Sequence, residues 1–508
     1  MIDLMRDVAF DGDEDSLSLS QSVGSGMRWV GLLFGLARIE RYVLVIILAR
    51  LLKPEDYGVM IVATLALNVT RLIQQLGIAD ALVWRRTNVQ RAANSGFWMT
   101  VTAGSVLTTC LVVGARHIAS FFDPRAKYVL WAVAPCLLLK ATTIVPRALL
   151  HRSMDYRRHG IPEACGSTAG AIAAIVLAFA GKGFWALAAV PIVGTMVDTV
   201  LVYALSNWRP RFEFDRVLAR ELWRFGWQVQ AGQVVYFFTQ NIDYLIVGAL
   251  TNSVTLGLYV WAFNLGANTF GDLNSLMLRV VYPAFVRIGD DPALVRDALL
   301  RSLRVLLTVI APIVVLIAIA GGVLLPVVFG SQWQGAVGAV RVLLVLGLLD
   351  GVFFGLAGVV LRAAGHPGAE STMFAVRVAL LVPALIIAVP HGLRYAALAH
   401  AAVALAVTPL YIVMLRRVAP ITVNDLVRLA MAPMGALIFE ATTLGVLLRF
   451  VLPPGPRLSS ALILIVTGGL AALVWFAFPG RALTREVRAF ISGSHGGFIA
   501  TERAPACC

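Results

Sequence analysis

Apolar runs of about 20 residues, the length a helix needs to cross a roughly 30 Å hydrocarbon core, recur from end to end of the chain, separated by short polar or turn-forming segments. Hydropathy and turn residues predict fourteen helices, over 25–50, 57–83, 93–115, 127–150, 161–181, 184–206, 224–250, 255–286, 302–329, 335–362, 369–390, 393–415, 426–451 and 458–478. The expected fold class is an all-α polytopic membrane protein. With 59% apolar residues, 14% charged residues and a mean hydropathy of +0.83, the composition lies outside the soluble range, where about a quarter of residues are charged.

The pattern is duplicated. RYVLVIILARLLKPEDYGVMIVATLALN (41–68) closes one apolar helix, turns at LKPEDYG and opens a second; NIDYLIVGALTNSVTLGLYVWAFNLG repeats the plan 199 positions later, pairing Leu51 with Leu250, Gly58 with Gly257 and Ala63 with Ala262. The expected organisation is an acidic tail (1–22), an N-terminal lobe of six helices (23–207), a basic connector (208–222), a second six-helix lobe (223–416), two further helices (417–479) and a C-terminal tail (480–508). Paired repeats of this kind are a signature of secondary transporters, which hold substrate between the repeats.

The formal charge of +14 is almost wholly arginine, since Lys53, Lys127, Lys140 and Lys182 are the only lysines. The arginines gather on alternate loops: Arg85, Arg86 and Arg91; Arg147, Arg152, Arg157 and Arg158; Arg209 to Arg224; Arg287 to Arg304; Arg362; Arg416 and Arg417; Arg481 to Arg488. Positive loops mark the cytoplasmic side, so both termini are expected there, and the charge is not read as nucleic-acid binding. The tail MIDLMRDVAFDGDEDSLSLS is acidic and lacks the positive region and apolar core of a cleaved signal. Cys110, Cys136 and Cys165 lie in apolar runs as packing residues, and Cys507 and Cys508 are read as an ordinary tail.

Ionisable groups at bilayer depth cost about 2.5–3.5 kcal/mol each and are functional candidates. The first helix carries Arg38, Glu40 and Arg41; the second has a polar stripe of Thr64, Asn68, Arg71 and Gln75, echoed in the eighth by Asn264, Asn268, Asp272 and Ser275. Gln240 occupies the repeat position of Arg41. Lys140, Arg341, Asp350, Arg377 and His400 complete the set, with Arg341 and Arg377 close enough to helix ends for snorkelling or pairing to compete with a site role. The balance at depth is cationic, which suits an anionic group, and arginine's planar fork matches phosphate oxygens. Arg38, Arg41, Arg71 and Lys140 are therefore the candidate phosphate contacts. Thr64, Asn68, Gln75, Gln240, Asn264, Asn268 and Asp272 are the candidate cavity-lining polar groups.

No Walker loop, HExxH or Cys/His cluster at metal spacing occurs, so neither an enzyme, a metal site nor a bound cofactor is expected. Energy for transport then comes from an ion gradient, the membrane potential or the substrate gradient itself; in the first case H+ or Na+ is the coupling ion, and Asp198, Asp243, Asp350 and His400 are the titratable candidates. The short loops TNSVT and FGSQWQG leave no room for the catalytic domain of a membrane glycan polymerase.

LARLLKPEDYGVM, with its L-L-x-P-x-D-Y-G core, resembles the first-to-second helix junction of bacterial polysaccharide flippases of the multidrug/oligosaccharidyl-lipid/polysaccharide exporter superfamily. NIDYLIVGALTNSVTLGLYVWAFNL and RALLHRSMDYRRHG extend the likeness, which covers roughly residues 23–450. The resemblance implies two six-helix lobes plus two helices, and movement of undecaprenyl-diphosphate-linked oligosaccharides for O-antigen, capsule or exopolysaccharide by alternating access. It also implies a cationic cavity for the diphosphate-sugar head, and membrane lipids, a polymerase and chain-length or export proteins as partners. A cation-coupled drug exporter of the same superfamily and a glycan polymerase are the alternative readings, beside a non-transporting scaffold of the assembly complex.

Overall fold

Helices end where the sequence places its turn residues. The computed structural model describes residues 40–75, 77–85, 87–153, 156–267, 282, 285–286, 288–289, 291–452 and 455–477, and among these there is no strand. In chain order the helices are α1 (40–51), α2 (Pro54–Gln75), α3 (Ile78–Trp84), α4 (Val89–Phe121), α5 (Ala126–Arg152), α6 (Tyr156–Phe179), α7 (Phe184–Leu205), α8 (Arg216–Leu250), α9 (Ser253–Gly266) and α10 (Pro292–Phe329). They continue as α11 (Ser331–Ala363), α12 (Pro367–Ala388), α13 (Leu393–Leu415), α14 (Val423–Val446) and α15 (Leu458–Ala477). Eight of them are long and apolar enough to cross a membrane by length and composition.

One expected helix, 57–83, is two: α2 and α3 are separated at Gly77, whose φ of 62° lies in the left-handed region that glycine enters without cost. Part of the basic connector is also helical, because α8 begins at Arg216, with the Asp215 carboxylate accepting from the amides of Val217 and Leu218 as an N-cap. In α11 a π-helical turn spans Leu349–Phe354.

The chain divides into two units, Met1–Gly257 and Leu258–Cys508. In the first, α5 is the central helix, packed by α2, α3, α4, α6 and α7. The α6–α7 pair closes through glycine: a methyl on Gly166 would sit 2.6 Å from the Gly194 carbonyl oxygen, and one on Gly194 3.1 Å from that of Gly166. Small residues let helix backbones approach where lipid supplies no hydrophobic drive. In the second unit α10 packs on α11, α14 and α15, while α13 packs on α11 and α12.

Within the first unit, loops assigned to one side of the membrane meet at one end. Arg125, in the α4–α5 turn, donates from Nη1 to Glu55 (3.1 Å) at the start of α2 and from Nη2 to Ser253 Oγ (3.3 Å) at the start of α9. At the other end the connector is fastened to α4: Asn94 Nδ2 donates to Glu213 (3.0 Å), Asn94 Oδ1 accepts from the Arg211 amide (3.3 Å), and the Asp215 amide donates to Ser95 Oγ (2.9 Å). Trp98 donates to the Arg211 carbonyl (2.9 Å) and stacks on Phe212 with ring centroids 4.7 Å apart. Arg85, after α3, pairs with Glu221 of α8 at 2.9 Å, at this same end.

Candidate functional site

The first unit buries a charged cluster between α5 and α7. Lys140 and Arg147 are seven residues apart, two helical turns, and so share a face of α5. Both reach Asp198 on α7: Lys140 Nζ lies 2.8 Å from Oδ2, and an Arg147 Nη2 hydrogen bond closes on Oδ1. Asp198 is 2% exposed. A buried carboxylate persists as an ion only with partners of this kind. Glu163 on α6 lies 4.0 Å from Arg147. The approach of α6 is permitted by Gly166, where a methyl would stand 3.1 Å from Asp198 Cβ. Lys140 and Asp198, assigned different roles on sequence grounds, are partners in one ion pair.

The second unit has its own chain of polar groups. Asp350 lies in the π-helical turn of α11, a local widening to i→i+5 bonding that often marks a functional position. Its carboxylate receives both arms of the Arg377 guanidinium from α12, at 2.7 and 2.8 Å, the bidentate geometry that fixes orientation as well as charge. Arg377 Nη2 then stands 3.3 Å from His400 Nε2 on α13, and His400 Nδ1 stands 3.5 Å from the Tyr259 hydroxyl on α9. Arginine has no lone pair to offer, so Nε2 accepts and the neutral imidazole carries its proton on Nδ1, facing Tyr259. Four helices thus contribute one side chain each to the series Asp350, Arg377, His400, Tyr259. Tyr259 is fully buried and His400 is 4% exposed.

The remaining sequence candidates are dispersed. Arg41 is exposed on α1 and forms no ion pair among the described residues, while its neighbour Glu40 accepts from Thr168 at 2.8 Å on α6. The Thr64 hydroxyl is turned back to the Met60 carbonyl (3.0 Å), and Asn68 is half-buried on the same helix. Asn264 is exposed and donates to the Val260 carbonyl at 2.9 Å. Asp243 is 2% exposed on α8. Arg341 is exposed and donates to the Ile319 carbonyl at 3.3 Å. Arg38, Asn268 and Asp272 lie outside the described residues, as do the side chains of Arg71, Gln75 and Gln240.

Two participants escaped the sequence reading, as did one buried carboxyl outside both clusters. Arg147 falls near a helix end and reads as part of a positive loop, although it shares the Asp198 pair. Tyr259 sits in an apolar run with nothing to single it out. Glu440, 3% exposed on α14, is an acidic residue in an expected membrane helix, and that signal alone would have found it. Among the described residues it has no ion pair or hydrogen bond.

Residues 47–338, more than half of the chain, match the family described as "Polysaccharide biosynthesis protein". The succinoglycan biosynthesis transport protein ExoT of Rhizobium meliloti is 29% identical over 58% of this chain, a match that spans 60% of that relative's own length. The lipopolysaccharide biosynthesis protein WzxC of Escherichia coli is 23% identical over 66% of this chain and 69% of its own, and the teichuronic acid biosynthesis protein TuaB of Bacillus subtilis 22% over 69% and 73%. In fold, the lipid II flippase MurJ superposes with a TM-score of 0.70 at 13% identity, over 89% of this chain and 100% of that one. An inward-facing multidrug resistance MATE transporter of the MOP superfamily follows at 0.58 and 14%, over 75% and 94%. The chain therefore belongs to the polysaccharide biosynthesis protein family, and it shares its fold with MurJ and the MATE protein.

Proposed function

We infer that the protein carries undecaprenyl-diphosphate-linked oligosaccharide repeat units from the cytoplasmic to the periplasmic leaflet of the inner membrane by alternating access, with both termini cytoplasmic. The observation that carries this reading is the family match over residues 47–338. It is supported by relatives whose names place them in succinoglycan, lipopolysaccharide and teichuronic acid synthesis. The fold shared with a flippase accords with it.

In this reading Arg38, Arg41 and Arg71 meet the diphosphate, because guanidinium groups at bilayer depth offer charge and paired donors to phosphate oxygens. Exposed Arg41, with no ion pair among the described residues, keeps that fork available. Lys140 plays a lesser part, since its ammonium already serves Asp198. H+ or Na+ is the coupling ion, and the Asp350–Arg377–His400 series is its best-defined candidate path.

The test is the sidedness of the lipid-linked oligosaccharide in cells lacking the protein, complemented with wild type or with Arg38→Ala, Arg41→Ala or Arg71→Ala. The expected result is accumulation on the cytoplasmic leaflet, relieved by wild type and not by the arginine variants at equal membrane levels. An intermediate that reaches the periplasmic face and stays unpolymerised would instead favour a polymerase. Normal glycan with lost resistance to cationic compounds would favour a drug exporter.

A further inference from the structure

We propose that the second unit holds an anionic phospholipid headgroup in an arginine-lined cavity between the N-terminal parts of α10 and α14. The cavity, about 310 Å³, is lined by Arg296, Arg301 and Arg304 with Asp297 on α10, and by Asp425 and Arg428 on α14, above Leu300 and Leu429.

The charge count leaves a surplus. Four arginines face two aspartates, and Arg296 reaches both carboxylates. Asp425 takes Arg296 Nε at 3.1 Å and Nη2 at 2.7 Å, and accepts from the Thr422 amide (2.9 Å) and hydroxyl (2.7 Å) in the capping box of α14. Asp297 takes Arg296 Nη1 at 3.2 Å. Arg296 is thus the internal brace of the cavity. Arg304 and Arg428 are exposed and make no ion pair among the described residues.

The position along the helices selects the ligand. α10 is 38 residues long, about 57 Å at 1.5 Å per residue, well beyond a roughly 30 Å apolar core. All of its charges lie between Arg296 and Arg304, and everything from Val305 to Phe329 is uncharged. Arg304 therefore marks the level at which hydrocarbon gives way to headgroups. Arg428 lies in the second turn of α14, at the start of another apolar stretch. Both belong to the side that the arginine distribution assigns to the cytoplasm. A phosphodiester at that level meets two guanidinium forks while its glycerol rests on Leu300 and Leu429. Basic pockets between membrane helices on the cytoplasmic side bind lipid phosphates in this way.

The experiment uses the full chain in nanodiscs of phosphatidylglycerol or phosphatidylcholine, with lipid retained after detergent exchange counted by native mass spectrometry. Wild type is expected to retain phosphatidylglycerol preferentially. Arg304→Gln with Arg428→Gln is expected to weaken that retention about 30-fold, given the usual contribution of each arginine near a lipid surface, while Arg417→Gln leaves it unchanged. The single variants, and the melting temperature in phosphatidylcholine, separate lost binding from lost folding. Equal retention of the two lipids by wild type, or a double variant that retains as wild type does, overturns the proposal. Displacement of the lipid by inorganic phosphate at equal concentration assigns the cavity to a soluble anion and overturns the lipid assignment.

Discussion

Gly58 and Gly257, equivalent positions of the two repeats, lie against one another's helix starts. A methyl on Gly58 would run into the Ser253 carbonyl, and a methyl on Gly257 would run into the Pro54 carbonyl and stand 3.0 Å from the Gly58 amide nitrogen. Pro54 and Ser253 are themselves repeat equivalents, each four residues before its glycine. The contact is thus reciprocal, the relation that two-fold symmetry imposes on a self-complementary interface.

Because backbone stands on both sides, neither position can yield by rotating a side chain. Gly58→Ala and Gly257→Ala are each expected to lower stability by about 1–3 kcal/mol, the cost of overpacking a closed contact. Gly435→Ala, in a helix with nothing within 4 Å, is expected to be neutral or mildly stabilising. Melting temperatures of the three purified variants check this, and equal melting for all three would refute it.

Asp198 has two cationic partners and almost no solvent. Asp198→Ala, which strands Lys140 and leaves Arg147 only Glu163 at 4.0 Å, is expected to cost about 3–5 kcal/mol. Lys140→Ala leaves the Arg147 contact in place and is expected to cost less. Chemical denaturation of both variants checks the order.

In the second unit, Asp350→Asn and Arg377→Gln each strand one charge, whereas the double variant strands none. A coupling of about 0.5–3 kcal/mol is expected from the cycle, with the double variant more stable than the sum of the singles predicts. If the pair also carries the coupling ion, the double variant folds and fails to transport. Normal transport by that variant would remove Asp350 from the coupling path.

Asp123 supplies a pH signature outside the membrane helices. Its burial acts to raise its pKa, yet hydrogen bonds from Arg125 and Ser253 outweigh that and hold the carboxyl below its ordinary value of 3.8. A carboxylate with a depressed native pKa stabilises the fold above its ordinary value, and that stabilisation is lost as pH falls through the native value. The amount is about 0.2–1 kcal/mol, because the partner Arg125 is half-exposed and its charge is screened. Asp123→Asn should therefore melt lower than wild type at pH 7, with the gap closing below pH 3.8; a constant gap would assign the residue a purely steric role.

Much of the helical plan was legible because bilayer crossing requires long apolar runs, and their ends coincide closely with turn residues. The tenth expected helix, 335–362, is observed as Ser331–Ala363, and the twelfth, 393–415, as Leu393–Leu415. The break at Gly77 was not legible, since a glycine in a membrane helix is ordinary and only its φ of 62° separates α2 from α3. The charged clusters were half legible. Cost at depth identified Lys140, Asp198, Asp350 and His400 one by one, but the 58 residues between Lys140 and Asp198 carry no periodicity that would pair them. Arg147 was hidden by its place near a helix end, where a positive residue already has an explanation in topology.

The connector between the repeats has the composition of a tether, yet Asn94 and Ser95, both fully buried, spend their polar atoms on it through Glu213, Arg211 and Asp215. A protease cut between Asn207 and Asp215 would sever no transmembrane helix, yet it would release the clasp that satisfies those two side chains and leave them buried without partners. A segment that reads as a polar tether is a fixed part of the first unit's interior hydrogen bonding.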